Sequence, residues 1–212
     1  MLSSMELYKK RYNNSIMFVL IYVDDIIITG NSPNMLKLFI ENLNSIFALK
    51  DLGHLNYFLG IEAYRDRTGL YLKQEKYVEN LLRKFSMDQC ATAPTPMVVN
   101  CYYSKEDGTT MKNPTVYRQA IGSLQYLVTT RPDIIFVVNK LSQFLNAPTD
   151  VHWKALKRVF CYLRGISRLA LHIKPCDFLQ LQGFLDADWA ICLDDRRSIG
   201  GHCAFLGDSL IS

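Results

Sequence analysis

No apolar stretch in these 212 residues approaches the ~18–20 that a membrane-spanning helix needs. The longest, Ile16 to Val23, has eight residues and runs into two aspartates. The opening MLSSMELYKKRYNN carries no apolar h-region, so secretion is not expected. Cysteine is not arranged for metal: the six, at 90, 101, 161, 176, 192 and 203, include no CxxC, and no His stands at zinc-ligand spacing from a Cys pair. Reduced thiols in an intracellular protein are expected instead. Excess charge is small, with Lys+Arg 24 against Asp+Glu 20, and a net +4 says little about partners. There is no internal repeat. An apolar fraction of 49% with 21% charged residues excludes a disordered or low-complexity chain. The length admits one full domain or two to three small or partial ones, at ~100–200 residues per typical domain.

What is present falls into three regions. Residues 16–23, IMFVLIYV, and the following IIIT are strand-like runs split by Asp24-Asp25, which predicts a β-hairpin. Their unbroken apolarity predicts burial on both faces. Ser32-Pro33 opens a helix with Leu36, Phe39, Leu43 and Ile46-Phe47 at helical spacing. Residues 55–63 and 69–73 read as a second strand pair. In the middle, Tyr77, Val78, Leu81, Leu82 and Phe85 form one apolar stripe, and Tyr117, Ile121, Leu124 and Val128 another. Ile134, Val138, Leu141 and Leu145 follow after Arg131-Pro132, and a further helix starts at Pro148-Thr149-Asp150 and ends at Gly165. Short links between these helices predict a small bundle. The long stretch from Asp88 to Asn113 reads as a linker or boundary. In the tail, Leu179, Leu181 and Leu185 alternate with Gln180, Gln182 and Asp186, which predicts a half-buried strand with GGHCAFLG as its hairpin partner.

Two features could carry chemistry. Adjacent carboxylates closing an apolar hairpin repel one another, and protonation or a bound cation relieves that. Oxygen donors of this kind suit Mg2+, and a pair of such ions ~3.5–4 Å apart can activate a 3′ hydroxyl and stabilise a leaving pyrophosphate. The dipeptide alone reads equally as a turn facing water. The second feature is residues 151–174, with six Lys or Arg and no acid. Lys154, Lys157, Arg158 and Cys161 fall on one side, and Trp153, Leu156, Phe160 and Leu163 on the other. Such a face suits duplex phosphates, or is a solvated face that binds nothing.

Tyr22-Val23-Asp24-Asp25 between apolar strands resembles the catalytic hairpin of reverse transcriptases. LIYVDDIIITG, LKDLGHLNYFLGIE, LKQEKYVENLLRKF, YRQAIGSLQYLVTTRPDI and GFLDADWAICLDDRRSIGGHCAFLGDSLIS, in that order, resemble the copia-type retrotransposon Pol polyprotein from about residue 8 onward. The resemblance implies an α+β fold. It comprises a partial palm of antiparallel hairpins over 1–75, a helical thumb or connection over 76–175, and the first strands of a ribonuclease H-like domain over 176–212. It implies RNA-directed DNA polymerisation with adjoining ribonuclease H, using Mg2+ or alternatively Mn2+. Asp24 and Asp25 match the metal-holding aspartates, and Tyr22 the aromatic residue near the primer terminus. Phe58, Leu59 and Gly60 match the primer grip, though FLG by itself is an ordinary strand-to-turn tripeptide. Lys50 lies in the region of a proton-donating lysine, or simply faces solvent. Asp186 takes the place of the first ribonuclease H carboxylate and metal ligand, while loop solvation accounts for Asp188, Asp194 and Asp195.

The implied partners are an RNA/DNA template–primer duplex, deoxynucleoside triphosphates and the rest of the Pol polyprotein, with no membrane. The implied place is a cytoplasmic particle or the nucleus. The family's polymerases bear a further palm aspartate well upstream of YVDD, whereas the sole acid before Tyr22 is Glu6. The 212 residues alone are therefore expected to lack polymerase activity. SIGGH and Ile191 also depart from the family pattern and suggest drift. The alternatives are a nucleic-acid-binding remnant without catalysis, and a non-functional product of a degenerate insertion.

Overall fold

Three antiparallel strands grow from the first apolar run in the computed structural model, which describes residues 5–176, 178–190 and 192–212. Strand β1 (Glu6–Tyr12) pairs with β2 (Ser15–Tyr22), and β2 with β3 (Asp25–Gly30). Tyr12 faces Ser15, so the β1–β2 loop is the pair Asn13-Asn14 with Asn13 at φ +50°. Asn tolerates that left-handed conformation, which tight hairpins need. The sequence reading misses β1 because its polar residues break any apolar run. As an edge strand, Lys9, Lys10 and Arg11 guard it against further pairing. Asn31 ties the sheet together, accepting from Ile16 N at 2.8 Å and donating to Asn14 O at 3.0 Å.

Helix α1 (Pro33–Ile46) starts as predicted, with the Ser32 side chain capping it and Pro33 in its first turn. It packs on the face that carries Met17 and Val19. A Cβ added to Gly30, Met17's cross-strand partner, would stand 3.3 Å from Leu36. Met17 and Val19 are buried, and no β3 residue is. The expectation of burial on both faces is therefore corrected: within this unit a helix covers one face only. These elements form one compact unit, Met1–Leu55, and Asn56–Ser212 forms another. The expected boundaries lie near 75 and 175, whereas Phe58, Leu59 and Gly60 fall within the second of these units.

That second unit begins with the sheet β4 (Tyr57–Phe58), β5 (Ile61–Asp66), β6 (Gly69–Lys73) and β7 (Leu171–Ile173), antiparallel in that order. The helices are α2 (Glu75–Lys84), α3 (Pro114–Leu127), α4 (Ile135–Ser142) and α5 (Asp150–Gly165). The predicted stripes make the core. Val78, Leu81, Leu82, Tyr117, Ile121, Leu124, Val138, Leu141, Leu156, Val159, Phe160 and Leu163 are all buried. Each such aliphatic side chain contributes about 1.5–3 kcal/mol on leaving water.

Between α3 and α4, Arg131 is the largest fully buried side chain at 1% exposed. Its Nε and Nη2 donate to the two Asp133 carboxylate oxygens at 2.9 and 2.7 Å, and Nη1 donates to Ile166 O at 3.2 Å. The guanidinium also lies 5.9 Å from the Tyr162 ring centroid. Burial pushes the Asp133 carboxyl up, but Arg131 outweighs it and holds it below its ordinary value.

Residues 88–113 are not the expected linker. They strap across the bundle with Tyr103 buried, Ala93 N donating to Cys161 O at 3.2 Å, and Met111 N donating to Pro148 O at 2.9 Å. Asp150 N donates to Thr109 O at 2.9 Å while Thr109 N donates to Asp150 Oδ1 at 2.7 Å. His152, fully buried, stacks on Phe144 with centroids 3.8 Å apart. Its Nδ1 accepts from Thr149 N at 3.1 Å and its Nε2 reaches Ser104 O at 3.1 Å.

The tail hairpin is present as β8 (Leu181–Asp188) and β9 (Ile199–Leu206), with β10 (Ser209–Leu210) beside β9. The expected half-burial of β8 is corrected, because every one of its residues is exposed. Ile191 lies outside the described residues.

Candidate functional site

Tyr22 pairs directly with Asp25, so the turn is Val23-Asp24 rather than the Asp24-Asp25 pair expected from sequence. Val23 sits at φ +52° and Asp24 does not share that sign, the pattern of a II′ hairpin turn. A β-branched residue there costs of order 1–3 kcal/mol, a strain that concentrates at functional turns. Because β2 and β3 are paired, Tyr22 and Asp25 share one face with Phe18, Leu20, Ile27 and Thr29, and β1 adds Lys9 and Arg11 to it. Lys9 Nζ stands 5.6 Å over the Phe18 ring.

Asp24 and Asp25 are both exposed, and neither carboxylate makes a hydrogen bond or ion pair among the described residues. Asp24 and Asp25 are therefore not the buried like charges expected from sequence: water screens their repulsion, and no cation is needed to keep them apart. Their donor chemistry stands, as two unengaged oxygen groups that fit part of a divalent-cation shell. Among the described residues no three His, Cys, Asp or Glu side chains gather into a metal-sized group. Glu6 pairs with Ile21, so it belongs to the sheet face opposite Asp25. Lys50 is exposed beyond the end of α1.

Phe58 pairs with Ile61, leaving Leu59-Gly60 as a two-residue turn with φ +47° and +75°. Two positive φ values in succession make a I′ turn, the geometry that matches strand twist, and glycine takes its second place without strain. The sequence reading misses what holds this turn. Tyr126 of α3 donates its hydroxyl to Leu59 O, and a Cβ on Gly60 would stand 2.8 Å from that hydroxyl. Tyr77 backs Tyr126 with ring centroids 5.0 Å apart and donates to Ser123 O at 3.2 Å. Two tyrosines 49 residues apart on different helices carry no local signal.

On α5 the Thr149–His152 capping box fixes the start. Lys154 and Lys157 are exposed, with Lys157 Nζ 5.6 Å from the Trp153 ring. Arg158, expected beside them on the solvent face, is instead half-buried. Its Nη2 donates to Thr95 Oγ1 at 2.9 Å, and its buried Nε has no partner. Arg164 donates to Cys90 O, and Arg168 pairs with Glu75 at 3.0 Å. The basic face thus narrows to the two lysines, and the strap and α2 take up the arginines.

Asp186 stands in mid-β8 opposite Gly201, exposed, on the same face as Asp188. Asp194 is engaged rather than merely solvated. It accepts from Ser104 Oγ at 2.6 Å and Lys105 N at 3.2 Å, and these bonds hold its carboxyl below the usual range. The Cys192 thiol and Arg197 do the same for Asp195. The structure thus joins Tyr22, Asp24 and Asp25 at one turn, and Phe58, Leu59 and Gly60 at another. Asp186 lies on β8, and Lys154 and Lys157 on α5.

Residues 3–99 match the sequence profile of the family described as reverse transcriptase (RNA-dependent DNA polymerase). The chain is 44% identical over 210 residues to the retrovirus-related Pol polyprotein from transposon RE1 of Arabidopsis thaliana, covering 99% of this chain and 14% of that protein. It is 36% identical over 217 residues to the corresponding polyprotein from transposon TNT 1-94 of Nicotiana tabacum, covering 97% of this chain and 16% of the polyprotein. An uncharacterized mitochondrial protein of Arabidopsis thaliana is 41% identical over 196 residues, covering 92% of this chain and 81% of that protein. No solved structure matches. The chain thus spans about a seventh of the length of the first of these polyproteins. With YVDD at a hairpin tip, FLG at a second turn and this similarity along its whole length, the chain belongs to the reverse transcriptase family of copia-type retrotransposon Pol polyproteins.

Proposed function

We propose that these 212 residues form part of an RNA-directed DNA polymerase. They would bear two of the carboxylates that hold its Mg2+ or Mn2+, a primer-positioning turn and a duplex-gripping helix. The observation that supports this best is the Asp24-Asp25 pair, two exposed carboxylates unspent on any described partner at the tip of an apolar hairpin. A divalent cation held there would supply Lewis-acid polarisation at the primer 3′ hydroxyl and the phosphoryl oxygens. Tyr22, opposite Asp25, packs near the primer terminus. The Leu59-Gly60 turn, pinned by Tyr126, sets the course of the primer strand beside Phe58. Lys154 and Lys157 neutralise phosphates of the template–primer duplex in a sequence-independent way. Deoxynucleoside triphosphates are the second substrate, and the rest of the Pol polyprotein the covalent partner. Asp186 serves as the first carboxylate of a ribonuclease H site over 176–212.

One or two carboxylates commonly hold Mg2+, with waters and substrate phosphates completing its octahedral shell, and Asp24 and Asp25 would supply that pair. The second reading, a nucleic-acid-binding remnant without catalysis, is favoured by the lack of any three-ligand group among the described residues. Electron paramagnetic resonance of Mn2+ separates the two, run beside primer extension and duplex binding. Mn2+ binding that weakens at least tenfold in Asp25→Asn supports the polymerase reading, and extension abolished by the same change would establish it. Duplex binding with Mn2+ affinity unchanged by Asp24→Asn and Asp25→Asn leaves the remnant. Among the described residues no helix is long and apolar enough to cross a membrane.

A further inference from the structure

The strap over 88–113 passes above α4 and leaves a cavity of about 330 Å³ between them. Its walls include Met97, Val98, Tyr102 and Phe136, with Ile199 at the start of β9. Among the described residues, no Asp or Glu lines it. Lys140, one helical turn beyond Phe136 and so on the same side of α4, also lines it and is only 4% exposed. Its ammonium has no hydrogen-bond or ion-pair partner among the described residues. A second cation stands behind the wall. Arg158 donates Nη2 to Thr95, another lining residue, and its buried Nε is unsatisfied.

Lys140 as a residue is almost wholly buried, and its ammonium lines the cavity with no counter-charge among the described residues, where a carboxylate or phosphate would offset the cost of its partial burial. The aliphatic stem alone would be served as well by Met or Leu. An incoming anion would meet Lys140 across low-dielectric walls, where attraction is several times stronger than at a solvated surface. The walls themselves are apolar, so the complementary ligand has an apolar body and one acidic head. The volume lies at the small end of ligand pockets, roughly 300–1,000 Å³.

We propose that this cavity is a binding site for a small amphiphilic carboxylate, seated with its acid on Lys140 and its hydrocarbon against Met97, Val98 and Phe136. The site lies wholly within the second unit and does not rest on the polymerase reading. Calorimetric titration of the 212-residue chain with octanoate and with octanol tests it. Octanoate should bind about tenfold or more tightly than octanol, as one charge-assisted contact confers. In Lys140→Met that preference should fall to within about twofold. A diazirine-bearing octanoate should crosslink within residues 95–102 or at Phe136 or Ile199. Equal affinity for acid and alcohol, no binding of either, or a preference that survives Lys140→Met overturns the proposal. If Lys140→Met fails to fold, crosslinking of the unaltered chain decides, and labelling elsewhere refutes the site.

Discussion

Replacing Arg131 with Met tests whether the core of the second unit depends on one internal ion pair. Arg131 is 1% exposed and meets both Asp133 oxygens at 2.9 and 2.7 Å. Met keeps most of the aliphatic bulk but strands the carboxylate and frees Ile166 O. Breaking one side of a buried pair typically costs about 3–5 kcal/mol. The Asp133 side chain keeps 24% exposure, so some water reaches it and the low end, about 3 kcal/mol, is expected. At ~2–4 °C per kcal/mol for a unit of this size, the melting temperature should fall ~6–12 °C. The double change Arg131→Met with Asp133→Leu should recover at least half of that loss, because the stranded charge goes too. The folded carboxyl is held below its ordinary 3.8, so the pair's contribution is complete above that value and drains away as pH falls through the lowered one. Urea unfolding of the four variants of the cycle, followed by circular dichroism, measures this. A single Arg131→Met loss below about 1 kcal/mol, or strictly additive single changes, would refute the reasoning.

Three further outcomes follow from the geometry. Burial lowers the His152 pKa from 6.5 despite the Ser104 bond, so the folded state favours neutral imidazole; stability should decline as pH drops below that value, by at most ~1.4 kcal/mol per pH unit, and His152→Asn should flatten the slope in pH-dependent urea titrations. Gly60→Ala introduces a Cβ 2.8 Å from the Tyr126 hydroxyl at φ +75°, so a loss above about 1 kcal/mol is expected, measured by thermal unfolding and eased in Tyr126→Phe. Lys154→Ala and Lys157→Ala should each reduce the salt slope of duplex binding by about 0.9 in fluorescence anisotropy, whereas Arg158→Ala should act on stability instead.

The helices were legible because their stripes are local. Tyr117, Ile121 and Leu124 sit at helical spacing and all are buried. The caps were legible for the same reason: Ser32-Pro33 and Thr149-Asp150 are signals within a few residues. What escaped depends on partners distant in sequence. Tyr126 reaches Leu59 across 67 residues, and Arg158 reaches Thr95 across 63. A helical wheel draws Arg158 facing water, because nothing in the wheel represents the strap lying over it. The strap itself looked like a linker, since its packing comes through single side chains such as Tyr103 with no repeat to reveal them. At the candidate site the residue types were readable, whereas the exposure of Asp24 and Asp25 and the placing of the turn one residue earlier follow from strand register.

The ladder between residues 104–111 and the first turn of α5 couples two segments that would otherwise open separately. Thr109, Met111 and Ser104 grip Asp150, Pro148 and His152, so unwinding the helix start undoes the crossing segment, and loosening that segment unseats the buried imidazole. Amide protons on both sides should therefore exchange together as one foldon. A protease that nicks near Gly108 would thereby uncap the very helix that presents Lys154 and Lys157, although neither lysine touches the cut.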